Sequence, residues 1–259
     1  MNGLELLLDA YSNKNIIWLW FFAFARFIGV MNIMPVFTST LATKLLKANF
    51  SIMLAVLVYP LYKDIHIDNN TILLNVVLII SNFAYGLLIG YFLSFPIWLI
   101  ESCGNIIDMQ RGEQMGNIIN HLTNNPASSI ASLLVKAFIA YFVVNNGLLF
   151  TFDLLFKSFN IIPVNNLLPI LDSQHITLYI NIFASYFYWV VVLVVPIIMA
   201  LLLIDLILGL VSAFIPQMNV TILSMPIKSA LALALLSIYI GYLFHEIFAK
   251  FITQIQNIL

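Results

Sequence analysis

Apolar residues run along this chain in long blocks, separated by short polar clusters. The blocks cover about residues 16–37, 48–62, 71–100, 130–156, 176–214 and 220–248. A membrane-crossing helix needs ~20 apolar residues, so blocks of this size predict about five to seven crossings. The separators carry turn signals. KDIHIDNN at 63–70 is rich in Asp and Asn, and 157–175, with Pro163, Pro169 and Asp172, reads as a loop. The most polar stretch, 112–129, reads as a loop or a loosely helical hairpin tip.

Within the blocks, Gly and Pro mark places where helices are expected to bend. Gly86, Gly90 and Pro96 interrupt the third block, which predicts a kink or break near Ser94–Pro96. Past Pro96 the pattern turns amphipathic. Glu101, Asn105, Asp108 and Gly112 recur at helical spacing, with Leu99, Cys103, Ile106 and Ile107 on the other face. The fifth block is too long for one upright crossing. It predicts either a steep, kinked helix or two half-length helices broken at Pro196. Asn145-Asn146-Gly147 falls inside the fourth block, and Pro226 and Lys228 come early in the last. An apolar-Pro-Ile triplet recurs at 95, 195 and 225, too short to define a repeat. The expected fold is an all-α integral membrane protein of helical hairpins broken at Gly and Pro, in one membrane-embedded domain over 1–259.

Composition sharpens this picture. Of the 259 residues, 63% are hydrophobic and 8% charged, and mean hydropathy is +1.05. Soluble domains carry ~25% charged residues, so lipid or partner subunits must cover much of this surface. The net charge of −1 leaves no basic footprint for nucleic acid. The single cysteine, Cys103, excludes an internal disulfide and reads as a small buried hydrophobe. Glu5, Asp9 and Lys14 precede a first apolar run too long for a cleavable leader, so that segment is expected to be retained. On a six-span reading, Lys14, Lys63, Lys157 and Lys250 oppose Lys44, Lys47 and Arg111, which assigns no orientation.

Chemistry enters through ionisable residues stranded in apolar runs. Asp205, Arg26 and Lys228 are the clearest. A charge at the bilayer centre costs at least ~2.5–3.5 kcal/mol, so each needs a partner, a cavity or another subunit. Asp205 lies about 11 residues before the IPQMN turn and Lys228 about 9 after it, which at ~1.5 Å per residue sets them at similar depth as a candidate ion pair. Gly209, at i+4 from Asp205, places a small-residue notch on the same face. Asp108 and Arg111 are spaced i, i+3 for a helical pair. His66, His121, His175 and His245 lie far apart, and no zinc, nucleophile-elbow or phosphate-loop motif is present. Neither an enzyme nor a metal or other cofactor is expected.

Two ordered segments are distinctive. FPIWLIESCGNIIDMQRG at 95–112 is followed by LLLIDLILGLVSAFIPQMNVTILSMPIKS at 201–229. Together they resemble the FliR/SpaR/YscT family, the T subunits of the bacterial type III secretion export apparatus. The resemblance is carried by Gly104, Ile106, Ile107, Asp108, Gln110, Arg111 and Gly112 in the first half. In the second it rests on Asp205, Gly209, Pro216, Gln217, Met218, Asn219, Pro226 and Lys228, and Arg26 and Pro35 in the first block also fit. Asn82 and Ala213 depart from the family pattern, each in place of a charged residue, and favour a virulence-type over a flagellar member.

The resemblance implies a subunit that assembles with R and S subunits, and with a U-type switch subunit, in a helical gate within the basal body at the bacterial inner membrane. Unfolded secreted proteins would pass through it. Glu101, Asn105 and Asp108 would belong to a helix tip facing neighbours or the channel. The competing reading is an autonomous secondary transporter or ion channel, since those proteins also use broken helices with ionisable residues at mid-depth.

Overall fold

The structure, a computed structural model, describes residues 14–38, 43–58, 72–113, 130–165, 173–215 and 220–256. Among these residues the regular elements are all helices. They are α1 (Lys14–Ile33), α2 (Pro35–Thr38), α3 (Lys44–Val58), α4 (Ile72–Arg111), α5 (Ile130–Val144), α6 (Gly147–Ile161), α7 (Ser173–Phe214) and α8 (Val220–Gln256). The all-α membrane class expected from the hydrophobic blocks is what the chain adopts. Among the described residues three helices are long and apolar enough to cross a membrane: Ile72–Arg111, Ile180–Phe214 and Leu223–Thr253. The bent pair α5 and α6 makes a fourth if counted as one span. This is fewer than the block count suggested. The apolar part of α1, Ile17–Ile33, and the 15-residue α3 fall short of a ~20-residue crossing.

Three prolines lie inside long helices. Pro96 lies inside the 40-residue α4, Pro196 inside the 42-residue α7, and Pro226 inside the 37-residue α8. Of the alternatives expected there, a kink or a break near Ser94–Pro96 and one kinked helix or two halves at Pro196, the structure has the unbroken helix at both places. Each proline removes one backbone donor, while in lipid every other backbone group still needs its helical partner. Among the described residues, one break in an apolar block falls at Met34, between α1 and α2, and another at Asn145–Asn146, just before Gly147. Asn146 adopts the left-handed conformation (φ 59°), which Asn tolerates better than most residues. The Asn145 side-chain amide donates to the Tyr141 carbonyl at 2.8 Å, an oxygen that also accepts the Asn145 backbone N–H at 3.0 Å. The loop expected at 157–175 is shorter than that block, because α6 runs to Ile161 and α7 starts at Ser173. The polar segments expected as turns at 63–70 and 114–129 lie outside the described residues.

The chain folds into two compact units. One comprises residues 1–94 and 146–176, the other 95–145 and 177–259. In the first, α1 packs on α3 and on the front half of α4. Glycines make the second contact close. A Cβ at Gly29 would meet the Phe83 carbonyl oxygen at 2.7 Å, one at Gly90 the Val30 Cα at 2.9 Å, and one at Gly86 would overlap the Arg26 carbonyl oxygen. Small residues of this kind let membrane helices approach backbone to backbone. Phe27 of α1 then packs on Phe156 and Phe159 of α6, and Phe50 of α3 on Phe152 of α6. In the second unit an aromatic seam joins α5 to α8. Phe138, Tyr141 and Phe142 interleave with Phe244, Phe248 and Phe251 at centroid distances of 5.3–6.1 Å. Gly104 of α4 sits directly on Ala131 of α5. Cys103 is buried there, as expected.

Candidate functional site

Polar side chains gather at two places, one in each unit. In the first unit Arg26 is fully buried. Its guanidinium donates to the Ser158 carbonyl (3.2 Å), the Ile162 carbonyl (3.0 Å) and the Asn82 side-chain oxygen (2.7 Å). Ser158 lies in the last turn of α6 and Ile162 just beyond it. Arg26 thus caps the C-terminus of α6, where the helix dipole favours a cation; the Ser158 carbonyl also accepts the Ile162 N–H at 2.9 Å. Phe159 stacks on the same guanidinium at 4.3 Å. Asn82 is oriented by its own amide, which donates to the Leu78 and Val164 carbonyls, both at 2.9 Å. A neutral Asn therefore serves where the sequence pattern led one to expect a charge. Its uncharged oxygen accepts from Arg26, while its NH2 group holds Val164, which a carboxylate could not do.

In the second unit the C-terminal turns of α4 form a hub. Asp108 is buried and uses both carboxylate oxygens. They accept the backbone N–H groups of Ile130 (3.2 Å) and Ala131 (3.0 Å), the first two residues of α5. This is an N-cap supplied from another helix. Arg111 Nε donates to the same carboxylate at 2.8 Å, and its Nη2 to Glu113 at 2.9 Å. Burial, and after it the Asp108 charge, push the Glu113 carboxyl above its ordinary value, outweighing the opposing pull of Arg111. Gly112 has φ +88°, a conformation that a side chain would strain, and it turns the chain out of α4.

The hub continues to α7 and α8. The Lys228 ammonium forms an ion pair with Asp205, confirming the pairing inferred from depth. Lys228 also donates to the Gln110 backbone carbonyl at 3.3 Å, and the Gln110 amide donates to Asp205 at 3.2 Å. Lys228 is almost fully buried, whereas the Asp205 side chain is 37% exposed. The hub thus ties α4, α5, α7 and α8 together through charge-assisted hydrogen bonds, each roughly twice as strong as a neutral one.

The sequence-derived residues separate on this frame. Asp108, Gln110, Arg111, Gly112, Asp205 and Lys228 meet in the hub. Arg26 belongs to the other unit. Glu101 and Asn105 are exposed, so the polar stripe divides, with only its Asp108 end turned into the protein. Gly209 has open space around it, and Pro226 is exposed. Pro216, Gln217, Met218 and Asn219 lie outside the described residues. Sequence reasoning missed Glu113, hidden in the most polar stretch, although its position two residues past Arg111 was a signal. It also missed the backbone partners of Arg26 and Asp108, since a carbonyl or an N–H carries no side-chain signature.

These features define a polytopic α-helical membrane protein whose intramembrane charges are used to join its own helices. Residues 17–254 match the family of bacterial export proteins, family 1. The chain belongs to this family, the FliR/SpaR/YscT group of type III secretion export-apparatus T subunits. It is 34% identical over 218 residues to Yop proteins translocation protein T of Yersinia pestis, covering 83% of this chain and 82% of that protein. It is 32% identical over 163 residues to the surface presentation of antigens protein SpaR of Salmonella typhimurium, covering 62% and 60%. It is 24% identical over 262 residues to the flagellar biosynthetic protein FliR of Pectobacterium carotovorum, covering 97% and 99%.

Proposed function

We propose that this chain is a structural subunit of a virulence-type protein export gate at the bacterial inner membrane. It joins R and S subunits to form an entrance channel for unfolded secreted proteins, meets a U-type switch subunit, and catalyses no reaction. The observation that carries this reading is the hub at the end of α4. Its charges are used between helices of this chain, and its partners are backbone groups and fixed counter-charges. A transporter site would instead converge polar groups on a space for solute. Long apolar faces on α7 and α8 remain exposed, including Leu206, Leu210, Phe214 and Ile238, and these suit lipid or neighbouring subunits. The names of the relatives support the virulence-type assignment. Identity to the Yop translocation and SpaR proteins is 34% and 32%, against 25% and 24% for the flagellar FliR proteins.

Native mass spectrometry of the chain, alone and co-expressed with the other export-apparatus subunits, tests this reading. The expected result is incorporation into a large mixed complex and poor stability alone. A well-behaved monomer or homodimer that ignores those subunits would overturn it and favour an autonomous transporter.

A further inference from the structure

The second unit contains four Arg or Lys residues, and three have a plain setting. Arg111 is held by Asp108 and Glu113, Lys228 by Asp205, and Lys136 is exposed. Lys250 differs. It lies in the last turns of α8 and is half-buried, yet among the described residues its ammonium forms no ion pair. Glu246, one turn earlier on α8, stands at the spacing that favours a helical Glu–Lys pair. The ammonium lies instead over Trp189 of α7, 4.1 Å from the ring centroid. A ring face orients a cation without cancelling its charge.

Two further features bear on the missing anion. The first is space. Lys250 borders a cavity of about 20 Å³, between Pro96 and Leu99 of α4, Trp189 of α7 and Phe251 of α8. That is room for one water-sized atom, so the cavity admits an oxygen but no ring or aliphatic side chain. The second is level. The opening turns of the apolar span Ile180–Phe214 carry Phe183, Tyr186, Phe187, Tyr188 and Trp189, and of these Phe183, Phe187 and Tyr188 are exposed. Lys250 lies three residues from the end of another apolar span, Leu223–Thr253. Tyr and Trp collect where hydrocarbon meets headgroups, and a lysine near the end of a span reaches the same layer. The anions of that layer are lipid headgroups.

We infer that Lys250 and Trp189 form a binding site for the headgroup of an anionic phospholipid, with one phosphate oxygen entering the cavity as acceptor for the Lys250 ammonium. Trp189 holds the ammonium at the cavity, and the exposed rings of the same turns of α7 offer the acyl chains an apolar wall. Charge selects the lipid. Phosphatidylglycerol keeps the negative charge of its phosphate, whereas the choline of phosphatidylcholine cancels it. The site is independent of the export-gate reading.

The test is equilibrium binding of labelled phosphatidylglycerol to the full chain, extracted from the membrane in a non-ionic detergent with any subunits that accompany it. The unaltered chain is expected to show a saturable site. Unlabelled phosphatidylglycerol should compete for it, while phosphatidylcholine of the same acyl chains and inorganic phosphate should not. Lys250→Met keeps the apolar stem, removes the charge and is expected to weaken binding about fivefold or more. Trp189→Leu removes the ring beneath the ammonium and should weaken it in the same direction. Lys250→Arg should retain binding, and so should Lys157→Met, whose exposed ammonium pairs with Asp153 in the other unit. Full-strength binding by Lys250→Met would place the lipid elsewhere and overturn the site. So would competition by inorganic phosphate, which marks a free-anion site. The absence of saturable binding by the unaltered chain would overturn it too, leaving Lys250 to a carboxylate of another protein or to water.

Discussion

Asp108 caps a helix that begins at Ile130, and it does so from the last turns of a different helix. The contact fixes where α5 starts relative to the tip of α4, and Arg111 holds the carboxylate in place. Asp108→Ala is expected to destabilise the protein by about 1–2 kcal/mol through loss of the cap. Its local signature is faster amide exchange at Ile130 and Ala131 than in the middle of α5. Unchanged exchange there would show that the cap does not hold the helix.

Arg26 holds the first unit together through three acceptors, on Asn82, Ser158 and Ile162. Arg26→Leu is expected to cost roughly 3 kcal/mol or more, because the acceptors on Asn82 and Ile162 lose the guanidinium and Ser158 keeps only the Ile162 N–H. Arg26→Lys should recover only part of this, since an ammonium lacks the planar fork that spans the three sites. Thermal unfolding in detergent measures the order. Equal stability of the lysine variant and the parent would contradict the bridging geometry.

For Asp205 and Lys228 the informative comparison is between single and double substitutions. Lys228→Met alone leaves the Asp205 charge without its counter-ion in an apolar helix and is expected to be the most harmful. Asp205→Asn with Lys228→Met removes both charges together and should lie closer to the parent. A double-substitution cycle on membrane levels or melting temperature gives the coupling directly. Additive effects would show that the pair is not coupled.

The glycines predict opposite signs at different sites. Gly86→Ala places a methyl group on the Arg26 carbonyl and is expected to destabilise by about 1–3 kcal/mol. Gly241→Ala has open space and should be neutral or stabilising by up to about 1 kcal/mol through helix propensity. Melting temperatures of the two purified variants decide this.

Glu113 is expected to make the tip of α4 sensitive to pH. Its folded carboxyl is raised above 4.5 by burial and by Asp108. The folded state therefore binds the proton more tightly than the unfolded chain. That contribution to stability is fully present below 4.5 and is lost as pH rises through the folded value. Glu113→Gln, which cannot ionise, should flatten this part of the stability profile while keeping an oxygen for Arg111. An unchanged slope above pH 4.5 would assign the titration to another group.

How much of this was legible beforehand differs from residue to residue. The ion pair of Asp205 with Lys228 could be read from spacing, because two helices joined by a short turn bring positions equidistant from it to one level. Asp108 with Arg111 followed from helical periodicity alone. At Pro96 and Pro196 the sequence left a bent helix and a broken one open, because it shows the missing donor but not whether the rest of the helix stays paired; both helices are unbroken. Asn146, which does end a helix, carries a weaker signal than proline and was passed over.

The amino-acid sequence by itself determined the class: a helical membrane chain, its family motifs, and the charges that had to be accommodated. Those follow from composition and from periodicity, which act residue by residue along the chain. Tertiary structure alone decided which groups meet them. Arg26 found the end of α6 and Asp108 the start of α5 because packing brings backbone carbonyls and N–H groups to those side chains from 132 and 22 residues away. Backbone groups are the same at every residue, so no pattern of side chains could have named them.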